Sequence, residues 1–527
     1  MENQKLRLVV FAITTILIAF GCNSKKIEYP ELSNKAKDGT LVSKAGTFKF
    51  GDEGLCADYG TITVAENRKD TFSRLIHLPV IRIHARTINT NPPIFCLAGG
   101  PGQSNMNWSP IDSLLYDHDF VFVGYRGVDG SCVLDCPEVV DALKNCGEDL
   151  LSDESLKNIA NAWKASTDRF KSQRIDINGY TIPEVVEDME AVRKAFKYDK
   201  INLLSESYGT RIAYIYGLLH PGKIHRSVMV SANPPGRFYY DPRMTDELLR
   251  HYSRLWSKDS IMKKESGDLA GTIRRVLKNL PRKWLLFSIN PGKVRVTTHA
   301  LLAHRNTAAQ VFDTYIAADK GDYSGLAMMS LAFDYTFPSM MVFGDLAAKA
   351  VSADLNYYKK MPDVDANDST ILGAPFNEML WKHLKYGSFP IQMIPDPLQT
   401  LRNLDTETLI ISGSVDFSTP PQYVKEFLPY LKNGKQIILS EFGHVGDLRY
   451  LRQSMSDRII TDYFNSGIVN ESSIEYVPMN FQVSWGFPLI AKVSLVVVFV
   501  LIIILMLLAV WLIRKIRLRI GSSQTGS

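Results

Sequence analysis

The chain has 527 residues, 46% hydrophobic and 22% charged, an ordinary balance for a folded protein and too apolar for a disordered, collagen-like or mucin-like one. Its formal net charge of +5 resides at the two ends, chiefly in Arg514, Lys515, Arg517 and Arg519, which leaves the middle neutral. A neutral body has no electrostatic means of gripping a phosphate backbone, so nucleic-acid binding is not expected.

Lys5 and Arg7 precede an apolar run from Leu8 to Gly21, which has the length of a signal-peptide core and is short for a membrane span. The run closes on Ile18, Ala19, Phe20, Gly21 and Cys22, and this resembles the lipobox of bacterial lipoproteins. Residues 1–21 then read as a signal peptide and Cys22 as a candidate lipidated N-terminus.

Six cysteines suit an oxidising compartment. With Cys22 assigned to lipid and Cys96 buried as a thiol in the apolar run Ile94–Ala98, Cys56, Cys132, Cys136 and Cys146 remain for disulfides, in any of three pairings. Cys132 and Cys136 have no nearby histidine to complete a tetrahedral set, so disulfides are favoured over a metal site.

Short β-type runs recur at 81–85, 94–98, 120–123, 201–204, 227–230, 409–412 and 436–439, several of them continuously apolar, as in strands covered on both faces. Helical stretches lie between them, near 183–196, 211–220, 423–432 and 447–464. This alternation predicts a largely parallel sheet. It breaks between Gly236 and Leu404, where aromatics, methionines and helical patterns (248–256, 269–280, 307–318, 345–358) predict an inserted helical cap over the strand ends. The division is therefore a core over 23–235 and 405–470, a cap over 236–404, a linker over 471–488, a membrane helix over 489–513 and a basic tail over 514–527.

That helix, from Leu489 to Ile513, holds Lys492 as its one charge, near the end where its stem can reach the interface. The cationic cluster that follows at once puts the C-terminus in the cytoplasm by the positive-inside rule. The body then lies on the outer face of the cytoplasmic membrane, in the periplasm of a Gram-negative cell.

Residues 201–211, INLLSESYGTR, run from an apolar strand through Ser207 into a helix. A sharp strand-to-helix elbow needs small residues two before and two after its nucleophile, and Ser205 and Gly209 supply them. Ser207 is the candidate nucleophile. The LAGGPG turn at 97–102 and the residue after the serine, Tyr208, offer backbone N–H groups for an oxyanion, with Gly100 as the first donor. A serine needs a base, and the base a carboxylate to orient it. Asp416, in GSVDFSTPP, and His444, in SEFGHVGD, each follow a predicted strand. The order Ser207, Asp416, His444 is that of the α/β-hydrolase triad. Acyl transfer through a serine ester, the chemistry these residues imply, needs no metal or organic cofactor.

These motifs resemble the proline iminopeptidase and tripeptidyl aminopeptidase family of α/β-hydrolase serine peptidases, from about Cys56 to Phe464. CADYGTITVAEN, LAGGPGQS, YRGVDGS, SESYGT, LHPGKIHRSVMVSANPP, SGSVDFSTPP and GHVGD carry the resemblance. It implies an α/β-hydrolase fold with a helical cap and short peptides as substrates, cleaved from the N-terminus. Gly124, Tyr125 and Asp129 depart from the family pattern. An aminopeptidase must also hold a cationic α-amine, for which Glu206 is a candidate, with Asp241, Glu247, Asp313, Asp334 and Asp345 in the cap as others. An esterase or amidase built on the same triad, and a non-catalytic binding protein on the same fold, are the alternatives.

Overall fold

The computed structural model describes residues 29–31, 36–88, 91–361 and 370–523. The expected signal peptide and Cys22 lie outside the described residues.

Eleven strands are found among these residues. β1 (Leu41–Phe50), β2 (Glu53–Ala65) and β3 (Leu75–Ile83) form an antiparallel edge. β4 (Ile94–Leu97), β5 (Phe120–Val123), β6 (Ile201–Glu206), β7 (Ile224–Val230), β10 (Glu407–Gly413) and β11 (Gly434–Leu439) run parallel to one another, and β5 joins the edge by pairing antiparallel with β3. The nine-stranded sheet has the order β1-β2-β3-β5-β4-β6-β7-β10-β11. β8 (Lys283–Trp284) and β9 (Phe287–Ser288) pair as a separate ribbon.

The central strands β4 and β5 are buried along their whole length because helices cover both faces of the sheet. β1 is mostly exposed and polar, so it lacks the apolar signature that marks the others. Its thirteen-residue partner β2 alternates with no long apolar run. The antiparallel hairpin therefore does not emerge from a search for buried strands.

Helices and the small ribbon fill the chain between β7 and β10, at Pro242–Lys258, Leu269–Lys278, Pro291–Leu301, Arg305–Asp319, Ser324–Thr336 and Phe343–Tyr358. Phe343–Tyr358 packs into the main core beneath the sheet, whereas the first five share a core of Tyr252, Trp256, Phe312 and Tyr315 that also takes in Phe417 from the loop after β10. Met479 and Phe481, from the stretch before the last helix, are buried in the same cluster. That stretch is held by Arg305, which donates to the Val477 carbonyl at 2.8 Å, and by Glu441, which accepts the Met479 N–H at 2.6 Å. The final helix runs from Phe487 to Ser523, and its part Phe487–Lys515 is long and apolar enough to cross a membrane.

The expected disulfides are not formed: Cys56, Cys96, Cys132, Cys136 and Cys146 are all free thiols. Three of the sulfurs have separate polar partners. Cys132 accepts from the Arg74 guanidinium at 3.3 Å, Cys146 accepts from the Asn290 amide at 3.6 Å, and Cys136 lies against the Leu134 carbonyl at 3.7 Å. Cys56 is exposed on β2 and Cys136 is buried at the start of a helix, so the four are dispersed where the sequence suggested a framework.

Candidate active site

Ser207 stands between the end of β6 and the helix Tyr208–Leu219. Its backbone has φ 49° and ψ −118°, a conformation that costs a non-glycine residue about 1–3 kcal/mol and persists only where the surroundings impose it. They do so by close approach. A methyl group on Gly209 would lie 2.2 Å from the Leu97 carbonyl oxygen, so the helix can seat against the end of β4 only with glycine there. Ser205, where the elbow pattern commonly has a glycine, is buried and donates to the Val228 carbonyl at 3.0 Å, which satisfies its hydroxyl.

Asp416 is fully buried in the loop after β10. One carboxylate oxygen accepts the N–H groups of Ser418 (2.9 Å) and Thr419 (2.8 Å), and the other accepts the Thr419 hydroxyl at 2.9 Å. Both lie against His444 Nδ1, at 3.0 and 2.9 Å. Burial pushes the Asp416 carboxyl up, but the imidazole beside it and the Thr419 N–H outweigh that and hold it below the ordinary carboxylate value. The aspartate thus remains an anion that fixes Nδ1 as a donor and leaves Nε2 as the ring's acceptor.

His444 follows β11, and its own N–H donates to the Ala303 carbonyl at 2.7 Å. The next turn is secured by Asp447, whose carboxylate accepts the N–H groups of Gly443 and Arg305, each at 2.9 Å. The histidine loop is therefore hung from the helical stretch between β7 and β10. No hydrogen bond joins the Ser207 hydroxyl to His444 among the described residues. The two are brought to one region by topology, since β6, β10 and β11 are parallel and Ser207, Asp416 and His444 all follow their C-terminal ends. His444 also lies close enough to Glu206 for its charge to favour the ionised carboxylate.

Gly100 and Tyr208, the expected oxyanion donors, have N–H groups that no acceptor among the described residues takes up. Tyr208 opens a twelve-residue helix, so the positive end of its dipole lies at the serine. Gly99, which sequence reasoning passed over, is the glycine of the turn nearest the serine. A methyl group there would lie 3.2 Å from Ser207 Cβ.

The glycine turn is fastened from below by Asn105, another residue without a sequence signal. Its side chain accepts the Ala98 N–H (2.7 Å) and the Trp108 indole N–H (3.1 Å) and donates to the carbonyls of Cys96 and Val123, both at 2.9 Å. Asp129, one of the departures from the family pattern, accepts from the Ser104 hydroxyl (2.6 Å) and from the N–H groups of Asn105 (3.0 Å) and Tyr125 (2.8 Å). Tyr125, a second departure, donates its hydroxyl to the Ala98 carbonyl at 3.1 Å. From the other side Asp345 accepts the Gly102 N–H at 2.9 Å and is paired with Lys349.

A cavity of about 610 Å³ opens beside the elbow, lined by Gly99, Gln103, Asp135, Glu206, Met340 and Val342 among others. It contains two carboxylates, Asp135 and Glu206, and no lysine or arginine among the described residues that line it. Glu206 Oε1 pairs with Arg449 at 3.2 Å. The other acids suggested for an α-amine lie elsewhere. Asp345 is buried against Lys349, Asp334 pairs with Lys293 at 2.6 Å, Asp241 caps the helix Pro242–Lys258, Glu247 lines a different cavity, and Asp313 lies against Gly486.

Residues 92–252 match the alpha/beta hydrolase fold family. Over 467 residues the chain is 22% identical to a tripeptidyl aminopeptidase of Streptomyces lividans, an alignment covering 80% of this chain and 83% of that protein. A tripeptidyl aminopeptidase of Streptomyces coelicolor is 22% identical over 456 residues, covering 77% and 81%. Among solved structures, the alpha/beta hydrolase enzyme MGS-M2 from a Medee basin deep-sea metagenome library aligns over 75% of this chain and 96% of its own, at 14% identity and a TM-score of 0.36. The parallel sheet with its strand-to-helix elbow is the α/β-hydrolase fold. The sequence is similar to those of the two tripeptidyl aminopeptidases.

Proposed function

We propose that this protein is a membrane-anchored serine hydrolase that removes residues or short peptides from free N-termini. The observation that carries the reading is the buried Asp416 carboxylate on His444 Nδ1, at the sheet edge where a strained elbow presents Ser207. In the reaction Ser207 Oγ attacks the scissile carbonyl carbon as its proton passes to His444 Nε2. The imidazolium so formed is stabilised by Asp416. The carbonyl oxygen, now an anion, is held by the N–H groups of Gly100 and Tyr208 at the helix N-terminus. Collapse of this intermediate expels the amine, which takes its proton from His444, and leaves an ester on Ser207. Water, deprotonated by the same histidine, then releases the acid.

Similarity to the Streptomyces tripeptidyl aminopeptidases favours a peptide over a simple ester, and the two carboxylates in the adjoining cavity favour a cationic amine. The helix Phe487–Lys515 would anchor the body, with Arg514 and Lys515 on the cytoplasmic side and the site on the other.

The test uses the full chain in detergent micelles. A fluorophosphonate probe should label the wild type and not Ser207→Ala, and tripeptide amides should be cleaved with a free but not an acetylated N-terminus. An unlabelled, folded wild type would remove the hydrolase reading. Equal cleavage of acetylated substrates would remove the aminopeptidase reading alone.

A further inference from the structure

The ribbon β8–β9 turns through two residues, Leu285 and Leu286, that are 64% and 94% exposed. Leu285 has φ 52°, in the left-handed region where hairpin tips ordinarily place glycine, asparagine or aspartate. Two leucines at an exposed tip, one of them in a strained conformation, are unfavourable in water on both counts.

The surroundings of the tip account for them. Trp284 and Phe287, stacked at the base of the ribbon, share an apolar groove of about 390 Å³ with Leu331 and Tyr335 of the helix Ser324–Thr336 and with Leu495 and Val498 of the final helix. The final helix is fixed in place there. Ser324 Oγ donates to the Pro488 carbonyl at 3.2 Å, Gly325 leaves no room for a methyl group beside Pro488, and Lys492 pairs with Asp322 at 2.8 Å. The final helix is thus tied to the helix Ser324–Thr336, and both line the groove together with the ribbon.

Depth along the final helix follows from its charges. Lys492 and Arg514 bracket an uncharged stretch that, at 1.5 Å per residue, measures about 30 Å, the thickness of a bilayer's hydrocarbon core. Leu495 and Val498 lie within its first 10 Å or so on the side of the body. The groove therefore straddles the boundary between headgroups and acyl chains, where tryptophan and tyrosine are enriched at membrane surfaces. Lys283, exposed just before the tip, carries the charge that anionic headgroups attract, while Arg282 beside it is shared with Glu148 at 3.8 Å.

We propose that the Leu285–Leu286 tip, with Trp284, Phe287, Leu331 and Tyr335, enters the leaflet facing the body and forms a second membrane contact beside the spanning helix. This rests on the reading of Phe487–Lys515 as a membrane span. The occupant of the groove is lipid acyl chain, and the contact sets the tilt of the catalytic body on the membrane.

The full chain is reconstituted in nanodiscs of phosphatidylethanolamine and phosphatidylglycerol, with Leu286→dansylalanine in one preparation and Leu507→dansylalanine in another. Emission at position 286 is expected to be blue-shifted, quenched by about half or more by lipids bearing a nitroxide at a shallow acyl carbon, and insensitive to iodide. Quenching of the 286 probe by iodide, while the 507 probe is quenched by lipid, overturns the proposal and leaves the span standing. Iodide quenching at both positions removes the span and the proposal together. Shielding of position 286 from iodide and nitroxide lipid alike means that protein, such as a second copy, covers the tip, and this also overturns it.

Discussion

Glu206 and Arg449 form an ion pair, Oε1 to Nε 3.2 Å, that ties the residue before the candidate nucleophile to the π-helical turn after His444. Their side chains are 12% and 4% exposed. Burial raises the Glu206 carboxyl above its ordinary value, and Arg449 with His444 opposes the rise. In Arg449→Met the opposition falls to His444 alone, so Glu206 should hold its proton to higher pH. If Glu206 receives the substrate's amine, KM for free-amine peptides should rise about tenfold at neutral pH. The acid limb of kcat/KM should move to higher pH as well. An unchanged profile in a folded variant would assign the pair to structure.

The glycine turn makes two separable predictions. Gly99→Ala brings a methyl group to 3.2 Å from Ser207 Cβ, so kcat should fall on the order of 10- to 100-fold with little loss of stability, as read by steady-state kinetics beside a melting curve. Asn105→Ala unpairs two N–H donors and two carbonyls in a buried setting. At about 1–3 kcal/mol for each group left unsatisfied, it should lose several kcal/mol in chemical denaturation as well as activity.

Acid stability should depend on two buried histidines. His299 lies among Tyr240, Phe376 and Phe417, with ring centroids 4.9, 5.0 and 5.1 Å away, and its Nε2 has no hydrogen-bond partner. Burial lowers its pKa to about 3, and burial likewise lowers that of His383 to about 3, against a slight opposing contribution from a backbone hydrogen bond at Leu380. As pH falls below the unfolded value of about 6.5, the unfolded chain takes up these protons first. Stability is then full above that pH and falls by about 1.4 kcal/mol per pH unit per histidine down to about 3. His299→Phe should flatten that slope by one histidine's share in melts at successive pH values; an unaltered slope would show that the ring titrates normally.

Thiol chemistry should follow burial. Alkylation of the unreduced, denatured chain should modify Cys56, Cys96, Cys132, Cys136 and Cys146, as read by peptide mass spectrometry. In the native state Cys56 should react first. Cys136, whose thiol burial pushes up to about 12, should resist for as long as the fold holds. A linked peptide pair among the four would contradict the structure.

The elements that carry Ser207 and Asp416 were legible because their signals are local. The run INLLSESYGTR declares a strand, a tight elbow and a helix within eleven residues, and the strand, turn and acid of LIISGSVD do the same for Asp416. Continuously apolar strands and a shift to helical periodicity between Gly236 and Leu404 announced the sheet and the helices beside it. β1 escaped notice because an exposed edge strand has no apolar face, and the ribbon β8–β9 because four paired residues are too few for a period to register.

The linear chain carries the candidate triad and the order of the strands that precede it, since backbone geometry and apolar periodicity act over a few neighbouring residues. The remainder came from long-range packing. It set Asn105 and Asp129 under the glycine turn, hung the His444 loop from the Ala303 carbonyl, gave Glu206 an arginine for a partner and dispersed four cysteines that composition had suggested would pair. Each of those outcomes depends on a contact between residues remote along the chain, whose energy exists only once the sheet and the helices between β7 and β10 have closed on one another.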